Sequence, residues 1–206
     1  MTARKTVARA LPPRPARGSP EQTRARLVQA AAEVFNRDGY DGTDSNRIAR
    51  EAGYSPGTFY KHFQDKKQLF LAVYQEWVVA EWREVTAALS GPGTRGEQAE
   101  RIVELFLAHH HRWRGLRAGL RALVSVDEEA RAFYRAQRRK QLELLASLHA
   151  ARGAVPRSRE QDAVTLFTIE RVADALADGE ASALSLDAPR LRELLVGLVR
   201  AGMPEG

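Results

Sequence analysis

Apolar residues in this 206-residue chain recur every three or four positions, not every second one. That is the spacing of helices and not of half-buried strands. Ser19-Pro20-Glu21-Gln22 opens the first segment with three agreeing signals: a capping hydroxyl, a proline at the first helical position, and a glutamine placed to close a capping box. Leu27, Val28, Ala31, Val34 and Phe35 then share one face until Gly39, whose freedom to take positive φ suits a left-handed stop. The pattern predicts a helix over about 20–38. A second short helix, capped by Thr43 or Asp44, turns Ile48, Ala49 and Ala52 inward and ends at Gly53. A third starts at Ser55-Pro56 and buries Phe59 and Phe63, one helical turn apart. Asp65, with Gln68 three residues later, caps a long fourth helix that carries Leu69, Phe70, Val73, Tyr74 and Trp77 toward Leu89.

Beyond the break at Ser90-Gly91-Pro92-Gly93 the pattern stays helical. Segments follow around Ile102–Trp113, Leu116–Val124, Ala130–Leu148 (ending near Gly153), Val164–Ala175 (ending near Gly179) and Leu191–Leu198. The expected fold class is all-α, with about nine helices: a three-helix N-terminal domain over 20–66, then a larger helical bundle over 67–206. No internal repeat stands out.

Composition narrows the setting. Without cysteine, disulfides and thiolate metal sites are excluded, and a reducing cytoplasm is the expected compartment. No apolar run approaches the length needed to span a bilayer, and the N-terminus lacks the apolar core of a secretory signal. The net charge of +6 is unevenly placed. Residues 1–19 hold Arg4, Lys5, Arg9, Arg14 and Arg17 with no acid, leaving the remainder nearly balanced. With Pro12, Pro13 and Pro15 among them, these residues read as a disordered basic arm. It is either a solubilising tail or an extra contact to nucleic-acid phosphates.

The candidate chemistry lies in the first three helices. A helix capped near Thr43, a turn at Gly53 and a helix from Ser55 have the length of a helix-turn-helix. With Phe59 and Phe63 held inside, Thr58, Tyr60, Lys61 and His62 point outward on an element that fits a major groove. The span 21–77 closely resembles the N-terminal domain of the TetR family of transcriptional repressors. The resemblance rests on Ala31, Phe35, Gly39 and Tyr40; on Thr43, Ile48, Ala49, Ala52 and Gly53; and on Ser55, Gly57, Thr58, Phe59, Tyr60, His62, Phe63, Lys66 and Leu69, in order and at the family's spacing. It implies a DNA-facing surface of Ser55, Pro56, Gly57, Thr58, Tyr60, Lys61 and His62, with Asn46 near base edges and Thr43 and Lys66 near phosphates. Two positions depart from the family pattern: Ser45 stands where an apolar residue is usual, and Pro56 where a polar one is.

The resemblance also implies a small-molecule effector in the C-terminal bundle, for which Trp77, Trp82, Phe106, His110, Trp113, Phe133 and Tyr134 are the candidate contacts. It implies a homodimer through the last two helices, about 160–178 and 188–202, bound to a roughly palindromic double-stranded operator. Three successive histidines, His109 to His111, fan around a helix and cannot share one ion, so no metal is expected, and no cofactor. A helical enzyme or carrier is the competing class. Against it, the chain lacks a nucleophile–base frame, a phosphate loop and a distinctively framed carboxylate pair. An activator or ligand-blind regulator would carry the same motif as a repressor.

Overall fold

The computed structural model describes residues 18–151 and 157–203. Among these there are ten α-helices and no strand: α1 Pro20–Asp38, α2 Ser45–Glu51, α3 Pro56–Tyr60, α4 Lys66–Ser90, α5 Arg95–Arg112, α6 Arg114–Val126, α7 Glu128–Ala150, α8 Arg159–Ala177, α9 Glu180–Ala183 and α10 Ala188–Gly202. None is long and apolar enough to cross a membrane. The described residues fall into two compact units divided between Val73 and Tyr74. The basic arm, apart from its last two residues, and the expected stop at Gly153 lie outside the described residues.

In the first unit, α1 starts where the sequence places it. Ser19 and Gln22 form a reciprocal capping box, and Pro20 occupies the first helical position. Leu27, Ala31, Val34 and Phe35 of α1 are fully buried with Ile48 and Ala49 of α2, Phe59 of α3, and Leu69 and Phe70 of α4. Phe35 and Tyr40 both meet Phe70 at ring distances of 5.0 Å. Outside this core, Arg37 bonds Asp38 and Glu51 while Arg47 bonds Asp38 and the Gly42 carbonyl, tying the end of α1 to α2.

One local expectation left open is resolved and two are corrected. Asp44, not Thr43, caps α2, its carboxylate accepting the Arg47 N–H at 2.8 Å. Asp65 does accept from the Gln68 N–H, but the Gln68 side chain reaches Gln64 instead of closing the box on Asp65. Gly39 has the positive φ of 76°, yet its ψ of 172° sends the chain into extended backbone instead of a left-handed turn.

The second unit is built around α5, which packs along both α8 and α10, while α7 packs on α6 and α8. Thr94 and Glu97 cap α5 reciprocally, and Trp113 separates it from α6. The core comprises Tyr74, Trp77, Trp82 and Val85 of α4, Ile102, Val103 and Phe106 of α5, Leu116 and Leu120 of α6, Leu166 and Ile169 of α8, and Leu195 and Val199 of α10. The helix beyond the expected nine is α9. Gly179 does stop α8, with φ 78° and ψ 7°, but the chain then makes one more helical turn that buries Ala181.

Candidate functional site

The helix-turn-helix is assembled by backbone punctuation followed by aromatic anchoring. Gly53, at φ 80°, makes the turn after α2. The hydroxyl of Ser55 then accepts the Thr58 N–H at 3.3 Å and lies 3.1 Å from the Thr58 hydroxyl, with Pro56 at the first helical position. α3 itself has only five residues; Lys61 caps it and His62 lies just beyond. Phe59 is fully buried and its ring meets Phe63 at 5.9 Å. Those anchors leave Ser55, Pro56, Gly57, Tyr60 and Lys61 exposed, and Thr58 and His62 partly so. Tyr60 rests an edge on Phe59 but remains 55% exposed. Asn46 is exposed on α2.

Gly57 carries a separate signal. Its φ lies outside the positive range, and a Cβ placed there would meet only the Ser55 hydroxyl, at 4.0 Å. Nothing inside the protein demands a glycine at this position. The position is exposed, so a side chain there would stand on the surface of α3.

Two of the expected phosphate contacts face inward. The Thr43 hydroxyl is buried without a hydrogen-bond partner. The Lys66 ammonium donates to the carbonyls of Tyr40 and Thr43, at 2.7 and 3.0 Å, and sits 4.1 Å from the centre of the Tyr40 ring. Lys66 therefore ties the loop after α1 to the start of α4, a role the sequence pattern does not distinguish from a surface charge.

The second unit holds two cavities of different character. A small one, of about 70 Å³, is walled by apolar side chains such as Trp82, Ile102, Phe106 and Leu166, with His149, Arg157 and Asp162 at a polar end. A larger one, of about 490 Å³, is lined by Tyr74, Leu120, Val124, Tyr134 and Phe167 together with Arg117, Arg121, Arg138, Arg171, Glu170 and Asp174. Of the side chains expected around a ligand, Trp82 and Phe106 line the first cavity and Tyr134 the second. Trp77, His110, Trp113 and Phe133 line neither. His110 is fully buried, its Nδ1 donating to Asp174 at 2.9 Å; Trp77 packs beneath the Arg117 guanidinium; Phe133 meets the Tyr74 ring; and Trp113 ends α5. No cluster of three or more histidine and carboxylate side chains suited to a metal exists among the described residues.

The charged lining is what sequence reading missed. Asp174 binds His110, Arg117 and Arg121, while Arg138 pairs with Glu170 and lies over the Tyr134 and Phe167 rings. Burial alone would raise Asp174, but the bonds from His110 and Arg117 outweigh it and hold its carboxyl well below the usual carboxylate range. The available signal was spacing: Asp162, Glu170 and Asp174 share with Leu166 one face of α8, so acids interrupt an apolar stripe.

Residues 27–73 match the profile of the bacterial regulatory proteins, tetR family. The match covers less than a quarter of the chain, and over that span the sequence is similar to the N-terminal domain of TetR-family proteins. Helices α2 and α3, Ser45–Glu51 and Pro56–Tyr60, lie within the matched span. An HTH-type transcriptional regulator of Staphylococcus aureus (strain USA300) is 38% identical over 55 residues, which is 27% of this chain and 30% of that protein. The alignment thus spans under a third of such relatives. A TetR-family regulator from Rhodococcus sp. superposes with a TM-score of 0.72 at 19% identity, over 89% of this chain and 99% of the other. A transcriptional regulator from Saccharomonospora viridis, solved with choline, does so with a TM-score of 0.69 at 18% identity, over 90% and 100%. At such identity these TetR-family structures share the fold alone.

Proposed function

We propose that this protein is a homodimeric repressor of the TetR kind, bound to a palindromic operator through α2 and α3 and released when a small molecule occupies the larger cavity. The observation carrying the DNA reading is the division of α3. Phe59 is fully buried, while Pro56, Gly57, Tyr60 and Lys61 are exposed on one short, capped element. Gly57 permits close approach, Tyr60 offers a hydroxyl to a phosphate, and Lys61 can donate to guanine O6 or N7. Two-fold pairing through α8 and α10 is supported by the exposed Val164, Phe167 and Leu194, and by a groove between these helices that includes Val164, Leu198 and Ala201. Release requires the effector to prefer the state that does not bind DNA; equal affinity for both states shifts nothing.

Fluorescence anisotropy on the DNA flanking the chain's own gene, titrated at several salt concentrations, tests this. Tight binding that weakens steeply with salt is expected. Tyr60→Ala should lose on the order of tenfold in affinity. Lys61→Ala should lower the salt slope by about 1 if Lys61 meets a phosphate, or relax base preference if it meets guanine. Binding that ignores sequence, and is unaltered by both substitutions, would sink the proposal.

A further inference from the structure

The larger cavity is rich in hydrogen-bond donors, and each of its carboxylate oxygens already accepts from a guanidinium group. Oδ1 of Asp174 accepts from His110 Nδ1 and Arg117 Nε, and Oδ2 accepts from Arg117 Nη2 and Arg121 Nη1. Each oxygen of Glu170 accepts from one Nη group of Arg138. Arg138 commits its remaining donors to Gln141 and the Tyr134 hydroxyl. A guanidinium carries five N–H groups and accepts none. Nη1 of Arg117 and Nε of Arg121 make no bond among the described residues, nor do Nε and Nη1 of Arg171, whose bonds to Glu180 use Nη2 alone. Four guanidinium groups and two carboxylates line the cavity, while Asp178 and Glu180, which pair with Arg121 and Arg171, lie just outside it.

We propose that this cavity takes an organic monocarboxylate, its anionic head on Arg117 and Arg121 and its apolar or aromatic body against Leu120, Val124 and Phe167. Arg117 is 7% exposed, so its charge acts in a partly desolvated setting where a charge-assisted bond counts for more than in water. The volume of about 490 Å³ lies within the usual range for small-molecule sites. A cation would face guanidinium groups and would have to displace Arg138 from Glu170 and from the Tyr134 and Phe167 rings. A primary amide would keep a carbonyl acceptor but give up the charge-assisted bond to the guanidinium groups. The ranking is therefore acid, then amide, then amine.

The assignment rests on the effector-cavity reading above and is tested separately from DNA binding. Isothermal titration calorimetry on the full chain would compare benzoate, phenylbutyrate and decanoate with their amides and amines, at fixed ionic strength, with inorganic phosphate as competitor. At least one carboxylate should bind about tenfold or more tightly than its amide, with no amine bound and no competition from phosphate. Arg121→Met, at a partly exposed side chain, should remove that preference; Val124→Trp should fill the cavity and abolish binding. An amide or amine binding as well as its acid would discard the anion class but keep the cavity as a ligand site. An acid preference that survives Arg121→Met, or that inorganic phosphate removes, would overturn the head-group assignment. Silence from every probe, with operator binding intact, would overturn both the carboxylate and the effector cavity without touching the DNA reading.

Discussion

Glu81 is the residue in the least comfortable position. It is 1% exposed, both carboxyl oxygens lack a hydrogen-bond partner, and the nearest basic atom, Nε2 of the fully buried His110, is 3.9 Å away. Burial, reinforced by the negative charge of Glu170, pushes its carboxyl up to about 8, so Glu81 is mostly neutral at pH 7. In the unfolded chain the same group ionises near its ordinary 4.5. Stability from this site is therefore full below about pH 4.5 and drains away as pH rises toward 8. His110 acts at the other end: burial lowers it, so stability is lost as pH falls below its ordinary 6.5 and the unfolded imidazole takes a proton first. Glu81→Gln should raise stability in urea denaturation by on the order of a few kcal/mol at pH 8, and by little below about pH 4.5. Equal effects at both pH values would refute the neutral carboxyl. This residue is also where sequence reading runs short. Apolar spacing marks Trp77 and Trp82 on either side, and nothing in it tells that Glu81 is drawn inside without a hydrogen-bond partner.

At the scale of the element, α3 is far too short to hold a helix unaided, and its neighbours impose it. Gly53, the Ser55 cap and the two phenylalanine anchors are all readable in the sequence because each is a local event: a positive φ, a side chain reaching the next turn, two apolar residues one turn apart. Gly53→Ala should cost about 1 kcal/mol, since an L side chain is strained at φ 80°. Its operator affinity should fall by more than that stability loss explains, because the turn sets the angle of α3. Thermal unfolding alongside anisotropy measures both, and unchanged affinity in a destabilised variant would separate the turn from the interface. Elements that depend on distant partners were less legible. One-turn α9 exists because Ala181 is buried, and Lys66 spans 26 residues to reach the Tyr40 carbonyl.

For the whole molecule, the Leu191–Leu198 stripe reads in sequence as a single apolar face, and the structure divides it. Leu195 is 3% exposed in the second unit's core, while Leu194 is 56% exposed beside it. α8 repeats the division, with Leu166 and Ile169 inside and Val164 and Phe167 outside. Such two-sided helices are what a dimer through α8 and α10 requires. Leu194→Glu should yield a folded monomer in sedimentation velocity and weaken operator binding at least about tenfold, since two recognition helices no longer act together. A dimer of undiminished stability would move the interface elsewhere. Aromatic placement has a spectroscopic consequence. The chain's three tryptophans, Trp77, Trp82 and Trp113, all belong to the unit that begins at Tyr74. Selectively excited tryptophan emission therefore watches that unit alone, whereas far-ultraviolet dichroism watches every helix. Overlaid melting curves from the two signals would reveal whether the DNA-reading unit gives way first, without a label or a truncation.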